Sequence, residues 1–85
     1  MTRFSAMVEV TLRLGIADPQ GTTIERALPA LGFETISGVR AGKAFRFEVE
    51  AADEVAARRE VEDLCRRFLT NPVIEDSMVT LELAQ

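Results

Sequence analysis

Few residues in this chain could do covalent or acid–base chemistry, and histidine is absent altogether. That removes the commonest general base, the commonest metal ligand and every Ser-His or Cys-His pair. The single cysteine, Cys65, falls on the apolar stripe of a helix. There it reads as a buried structural thiol, because a reactive thiolate needs exposure and a positive or helix-N-terminal setting. Asp18 has the chemistry of a metal ligand or an acid, but its place before Pro19 makes it a helix N-cap. The neighbours Glu75 and Asp76 could bind a cation only with a third or fourth oxygen ligand. No nearby loop offers one, so they read as a solvated turn. Arg40, Lys43 and Arg46 form a short basic group beside Gly42. It could meet a phosphate or carboxylate, against the plainer reading of a solvated strand surface. Gly15, Gly21, Gly38 and Gly42 never make GxGxxG or GxxxxGK[ST] spacing, so no phosphate cradle is written in the chain. No constellation supports catalysis.

The elements that must position these residues begin with a strand from Phe4 to Leu14. Phe4, Ala6, Val8, Val10, Leu12 and Leu14 alternate on one face, and Ser5, Glu9, Thr11 and Arg13 on the other. A period of two over this length predicts a half-buried strand. Asp18 as N-cap and Pro19 in the first helical position then open a helix. Ile24, Ala27, Leu28 and Leu31 give it one apolar stripe. Gly21 weakens its first turn, and Pro29 predicts a kink or a tightened last turn. Gly32 suits a left-handed ending that brings Phe33 back onto Leu28.

Thr35 to Glu50 reads as strand, with Val39, Ala41, Phe45, Phe47 and Val49 in phase and Ile36 out of phase. Gly38 therefore marks an expected bulge. Two arrangements keep that phase through Gly42-Lys43. A three-residue turn Gly42-Lys43-Ala44 makes a hairpin and a compact four-stranded monomer. One continuous strand is too long for so small a domain and could run into a partner chain, inviting segment exchange. The sequence does not decide between them; the hairpin is taken slightly in preference.

Asp53 to Leu69 predicts the best helix, with Ala57, Val61, Leu64, Cys65 and Phe68 as its buried stripe. Glu54–Arg58, Glu62–Arg66 and Asp63–Arg67 are i, i+4 pairs in the favourable order. Thr70-Asn71-Pro72 stops it. Val79, Leu81 and Leu83 alternate into a last strand. The order βαββαβ predicts an α+β, ferredoxin-like two-layer sandwich: an antiparallel sheet with two helices on one face.

Composition narrows the class. Eighty-five residues make one domain, 1–85, that buries roughly 60–65% of its unfolded surface. The net charge of −4 argues against nucleic acid, which normally meets a basic surface. Phenylalanine is the only aromatic, and Phe4, Phe45 and Phe47 fall in the core, leaving no stacking platform for single strands. No apolar run reaches the length of a membrane span, and the N-terminus has no signal-peptide pattern. One cysteine fits a reducing cytoplasm. These features point to a binding or assembly module.

Three stretches together carry a family resemblance: Leu14-Gly15-Ile16-Ala17-Asp18-Pro19-Gln20-Gly21, Val39-Arg40-Ala41-Gly42-Lys43, and Leu69-Thr70-Asn71-Pro72-Val73-Ile74-Glu75-Asp76. In order, spacing and chain length the sequence resembles the PurS-type small subunit of phosphoribosylformylglycinamidine (FGAM) synthase. Pro29 departs from the helical pattern expected of that family. The resemblance implies a non-catalytic, cytoplasmic subunit in de novo purine biosynthesis. It would bridge a glutaminase and an ATP-dependent synthetase and assist ammonia transfer. It also implies a homodimer or tetramer that binds no cofactor or metal itself, with ATP, magnesium and glutamine used by the partner subunits. The residues carried over as candidate subunit contacts are Asp18, Gln20 and Gly21 after the first strand, Gly42 and Lys43 in the middle, and Asn71 and Pro72 after the second helix. The main rival reading is a ferredoxin-like regulatory domain that binds a small metabolite. An RNA-binding domain of the same topology ranks behind it, since exposed aromatics and a basic surface are lacking.

Overall fold

A computed structural model describes residues 1–84. The elements run β1 (Thr2–Leu12), α1 (Pro19–Ala27), a 3-10 turn (Pro29–Leu31), β2 (Gly42–Ala51), α2 (Glu54–Leu64) and β3 (Glu75–Leu83). β1 is the central strand, flanked by β2 and β3, and both pairings are antiparallel. The register sets Phe4, Ala6 and Val8 of β1 opposite Val49, Phe47 and Phe45 of β2, and opposite Leu83, Leu81 and Val79 of β3. Side chains directly opposite across a ladder share a face. The odd phase of β2 read from the sequence is therefore the phase that faces the core. α2 lies on that face, with Val8, Val10, Val61 and Cys65 fully enclosed between helix and sheet. The fold is the expected α+β, ferredoxin-like one.

Five details differ from the sequence reading. β1 ends at Leu12, and Leu14 is exposed, because the chain turns away once Arg13 N–H has bonded to Ile74 O at 2.9 Å. Residues 35–41 form no strand, so neither the hairpin at Gly42-Lys43 nor the continuous strand from Thr35 is made, and β2 starts at Gly42 instead. Gly38 sits in that irregular segment at φ 69° and is no bulge. Phe68, expected in the buried stripe of α2, is 80% exposed, and Leu64 is partly so. The cause is a π-helical turn over Cys65–Leu69 at the end of α2. One extra residue in the turn rotates the side chains beyond it by about 100° relative to the α pattern. Leu69 packs inward in place of Phe68. Of the three expected ion pairs on α2, only Asp63–Arg67 forms, at 3.1 Å; Arg66 turns to Asp63 as well, and Arg58 donates to Val79 O.

The ending of α1 follows the sequence closely. The helix stops at Ala27, Pro29 opens the tighter turn, and Gly32 takes the left-handed cap at φ 94°. Phe33 N–H reaches back to Leu28 O at 3.0 Å. Yet α1 barely touches the strands, and Ile24, Leu31, Phe33 and Ile36 stay exposed. The chain is drawn out over 52 × 30 × 14 Å. Its radius of gyration is 16.5 Å, against about 12 Å for a compact chain of this length.

Candidate subunit-contact site

β1 delivers the chain to residues 13–18 at one end of the sheet, β2 begins there at Gly42, and the turn after α2 arrives there before β3. Five of the seven sequence candidates meet directly at this end, and a sixth, Asn71, joins them through Glu75. Asp18, Gln20, Gly42 and Lys43 line one open depression of about 310 Å³ with Glu75, and Gly21 lies buried beneath.

Asp18 is the hub. Its Oδ1 accepts the Gly21 N–H at 2.9 Å, which is the N-cap bond expected of it. Its Oδ2 accepts the Ala41 N–H at 2.8 Å. The Gly21 N–H and then the Ala41 N–H hold the Asp18 carboxyl below its usual range against the opposing effect of burial, and the Arg40 charge adds a lesser lowering. Further along α1, Glu25 Oε1 accepts the Val39 N–H at 2.8 Å. A side chain on Gly21 would stand 2.5 Å from Val39 O, so the returning chain can approach α1 only at a glycine. Gly42 is constrained in the same way, with Val10 O 2.7 Å from where a Cβ would sit.

Lys43 Nζ stands 3.9 Å from Glu75 Oε2 and over the Phe45 ring at 5.9 Å. Both contacts are loose, and the ammonium is half-exposed. Asn71 joins the site through Glu75. Glu75 Oε1 accepts the Asn71 N–H at 2.7 Å, while Asn71 O accepts the Glu75 N–H at 2.8 Å. Asn71 Oδ1 also accepts the Val73 N–H, closing the turn on itself. Pro72 is exposed on the outside of that turn and does not reach the depression.

Sequence reasoning missed several participants. Glu75 is no solvated turn residue: its carboxylate is mostly covered and linked to both Lys43 and Asn71. Asp76 does face solvent but pairs with Arg13 at 3.1 Å. Arg40 donates to Leu12 O at 2.9 Å and Arg13 O at 3.3 Å, bolting residue 40 to the end of β1. Arg46 stays on the open sheet face, opposite Met7 and away from that bolt. Glu25 could have been found, since Asp18, Gly21 and Glu25 fall at i, i+3, i+7 on one helix face. Glu75 could not, because only the β1–β3 register opposes it to Leu12.

Chemically the site organises backbone and presents one half-exposed ammonium beside a carboxylate. It places no nucleophile next to a base. Among the described residues no group of three or more acidic or cysteine side chains could hold a metal, and no helix is long and apolar enough to cross a membrane. Cys65 is buried, as expected, with its carbonyl taken by the Thr70 hydroxyl at 2.8 Å.

Comparison with known proteins gives a consistent match. The family model of PurS, phosphoribosylformylglycinamidine (FGAM) synthase, matches residues 5–83. The chain is 37% identical over 79 residues to the phosphoribosylformylglycinamidine synthase subunit PurS of Methanocaldococcus jannaschii, covering 93% of this chain and 95% of that one. It is 43% identical over 77 residues to the PurS subunit of Mycobacterium leprae, covering 91% and 94%. Among solved structures, that of PurLQS from Thermotoga maritima contains a chain that superposes with a TM-score of 0.89 at 34% identity, covering 96% of this chain and 100% of that one.

Proposed function

The chain belongs to the PurS family of FGAM synthase, and on that premise we propose that it is the coupling subunit that bridges a glutaminase and an ATP-dependent synthetase. The observation that carries this reading is the full-length likeness to a chain of the Thermotoga maritima PurLQS structure. A site that orders backbone and offers no acid–base pair supports a scaffolding role. In this reading the chain helps ammonia pass between the partners, which use the glutamine, ATP and magnesium. Its place of work is the cytoplasm. Lys43, Gln20, Asn71 and Pro72 present their side chains outward for contact, while Asp18, Gly21 and Gly42 shape the backbone that carries them.

The same reading makes the working unit a homodimer or tetramer. α1 has an apolar stripe with no sheet beneath it. Phe47, Val49, Leu64 and Phe68 line an uncovered groove of about 540 Å³ between β2 and α2. In a closed ferredoxin-like unit a fourth strand and α1 would fill that groove. Exchange of α1 and the segment after it between two copies satisfies both surfaces at once.

The test is reconstitution of amidine formation from purified synthetase and glutaminase, with and without this chain, using glutamine and separately ammonium salt as nitrogen donor. Turnover with glutamine is expected to require the chain, and turnover with ammonium to need it little. Glutamine-driven turnover that ignores the chain overturns the coupling role.

A further inference from the structure

The segment that returns from α1 to β2 is held by two carboxylates rather than by a strand. Asp18 accepts the Ala41 N–H and Glu25 accepts the Val39 N–H, each at 2.8 Å. Donors two residues apart share one edge of an extended chain, so a whole edge of residues 39–41 is taken up by α1. Gly21 lets that edge lie flat on the helix, since its missing side chain would meet both Val39 O and the Asp18 carboxylate. The Arg40 guanidinium then fixes the segment to the last carbonyls of β1. α1 and its return segment thus form one arm, clasped internally and standing off the sheet that it could otherwise cover.

We propose that this two-carboxylate clasp is a conformational device that keeps the arm open, so that the chain reaches for a second copy instead of closing on its own groove. The proposal rests on the homo-oligomer reading above. With the clasp made, the N–H groups of Val39 and Ala41 are spent, and folding residues 35–41 back as a hairpin beside β2 requires releasing them. With the clasp broken, the arm is free to fold onto Phe47, Val49, Leu64 and Phe68 of the same chain.

Three variants of the full chain test this. Glu25→Ala removes one acceptor and leaves the helix cap alone, and Glu25→Gln restores an oxygen acceptor. Gly21→Ala is the sharper probe: alanine favours the helix, yet its Cβ cannot fit beneath Val39 O. Self-association is read by sedimentation over a concentration series. Amide hydrogen exchange is read at Val39 and Ala41. Loss of the preorganised open arm is expected to raise the dimer dissociation constant about tenfold or more in Glu25→Ala and Gly21→Ala, with recovery in Glu25→Gln. Exchange at Val39 should rise in the first two only. Dissociation constants all within about twofold of the parent overturn the proposal. So does an unprotected Val39 amide in the parent chain. A parent that is monomeric at every concentration defeats the homo-oligomer reading instead, a result the exchange data keep separate from the existence of the clasp.

Discussion

Single atoms decide the shape of the sheet end. Gly42 faces Val10 O so closely that a methyl group there must push the start of β2 off β1. Gly42→Ala is expected to cost about 1–3 kcal/mol, the usual cost of overpacking, seen as a lower midpoint in urea. Asp18 makes a second prediction. Its carboxyl lies below the ordinary aspartate value of 3.8, chiefly through the Gly21 and Ala41 amides. The stabilisation it supplies is therefore complete above that value and fades as pH falls through the lower, folded-state value. Melting curves of the parent and Asp18→Asn should differ near neutral pH and converge in strong acid. A constant gap down to the lowest pH at which the fold survives rules out the carboxylate as its source. That Asp18 caps α1 was legible, because Asp-Pro at a helix start is local chemistry. That its second oxygen holds Ala41 was not, because the donor lies 23 residues away.

At the scale of elements, α2 carries the clearest contrast between pattern and structure. Its apolar positions follow a uniform period in the sequence, and through Val61 and Cys65 that period holds. Beyond Cys65 the π turn shifts the phase, turning Phe68 to solvent and Leu69 toward the core. Two substitutions on one helix should then behave in opposite ways. Val61→Ala, at a fully enclosed position, is expected to lose about 1.5–3 kcal/mol of stability, the energy of burying a valine. Phe68→Ala should change the folding free energy of the single chain by less than about 0.5 kcal/mol while weakening self-association. Denaturation midpoints at low and high chain concentration separate the two effects. A Phe68→Ala chain that is as destabilised as Val61→Ala at the lowest concentration places Phe68 in the core after all. Nothing in the residue types announces the π turn; it appears where Thr70 satisfies the Cys65 carbonyl with both its N–H and its hydroxyl.

For the whole molecule, the drawn-out shape has an energetic meaning. A domain this small has little surface to spare for burial, and this one leaves Ile24, Leu31, Phe33, Phe68 and Val73 in the open. β2 and β3 are both edges of a three-stranded sheet, and unpaired edges seek strands. Sedimentation at micromolar concentration is expected to give at least a dimer; a monomer there counts against both the exchange and the bridging role. The sequence by itself determined the α+β class, the strand phases, the Asp18 cap and Gly32 ending of the first helix, and the family. Each of these rests on spacing within a few residues or on motifs read in order. Only the tertiary structure decided that residues 35–41 make no strand, that α1 stands away from its sheet, and that Glu75 completes the site beside Lys43. Those outcomes depend on which distant backbone donors and carboxylates come within bonding distance, and a one-dimensional period carries no record of that.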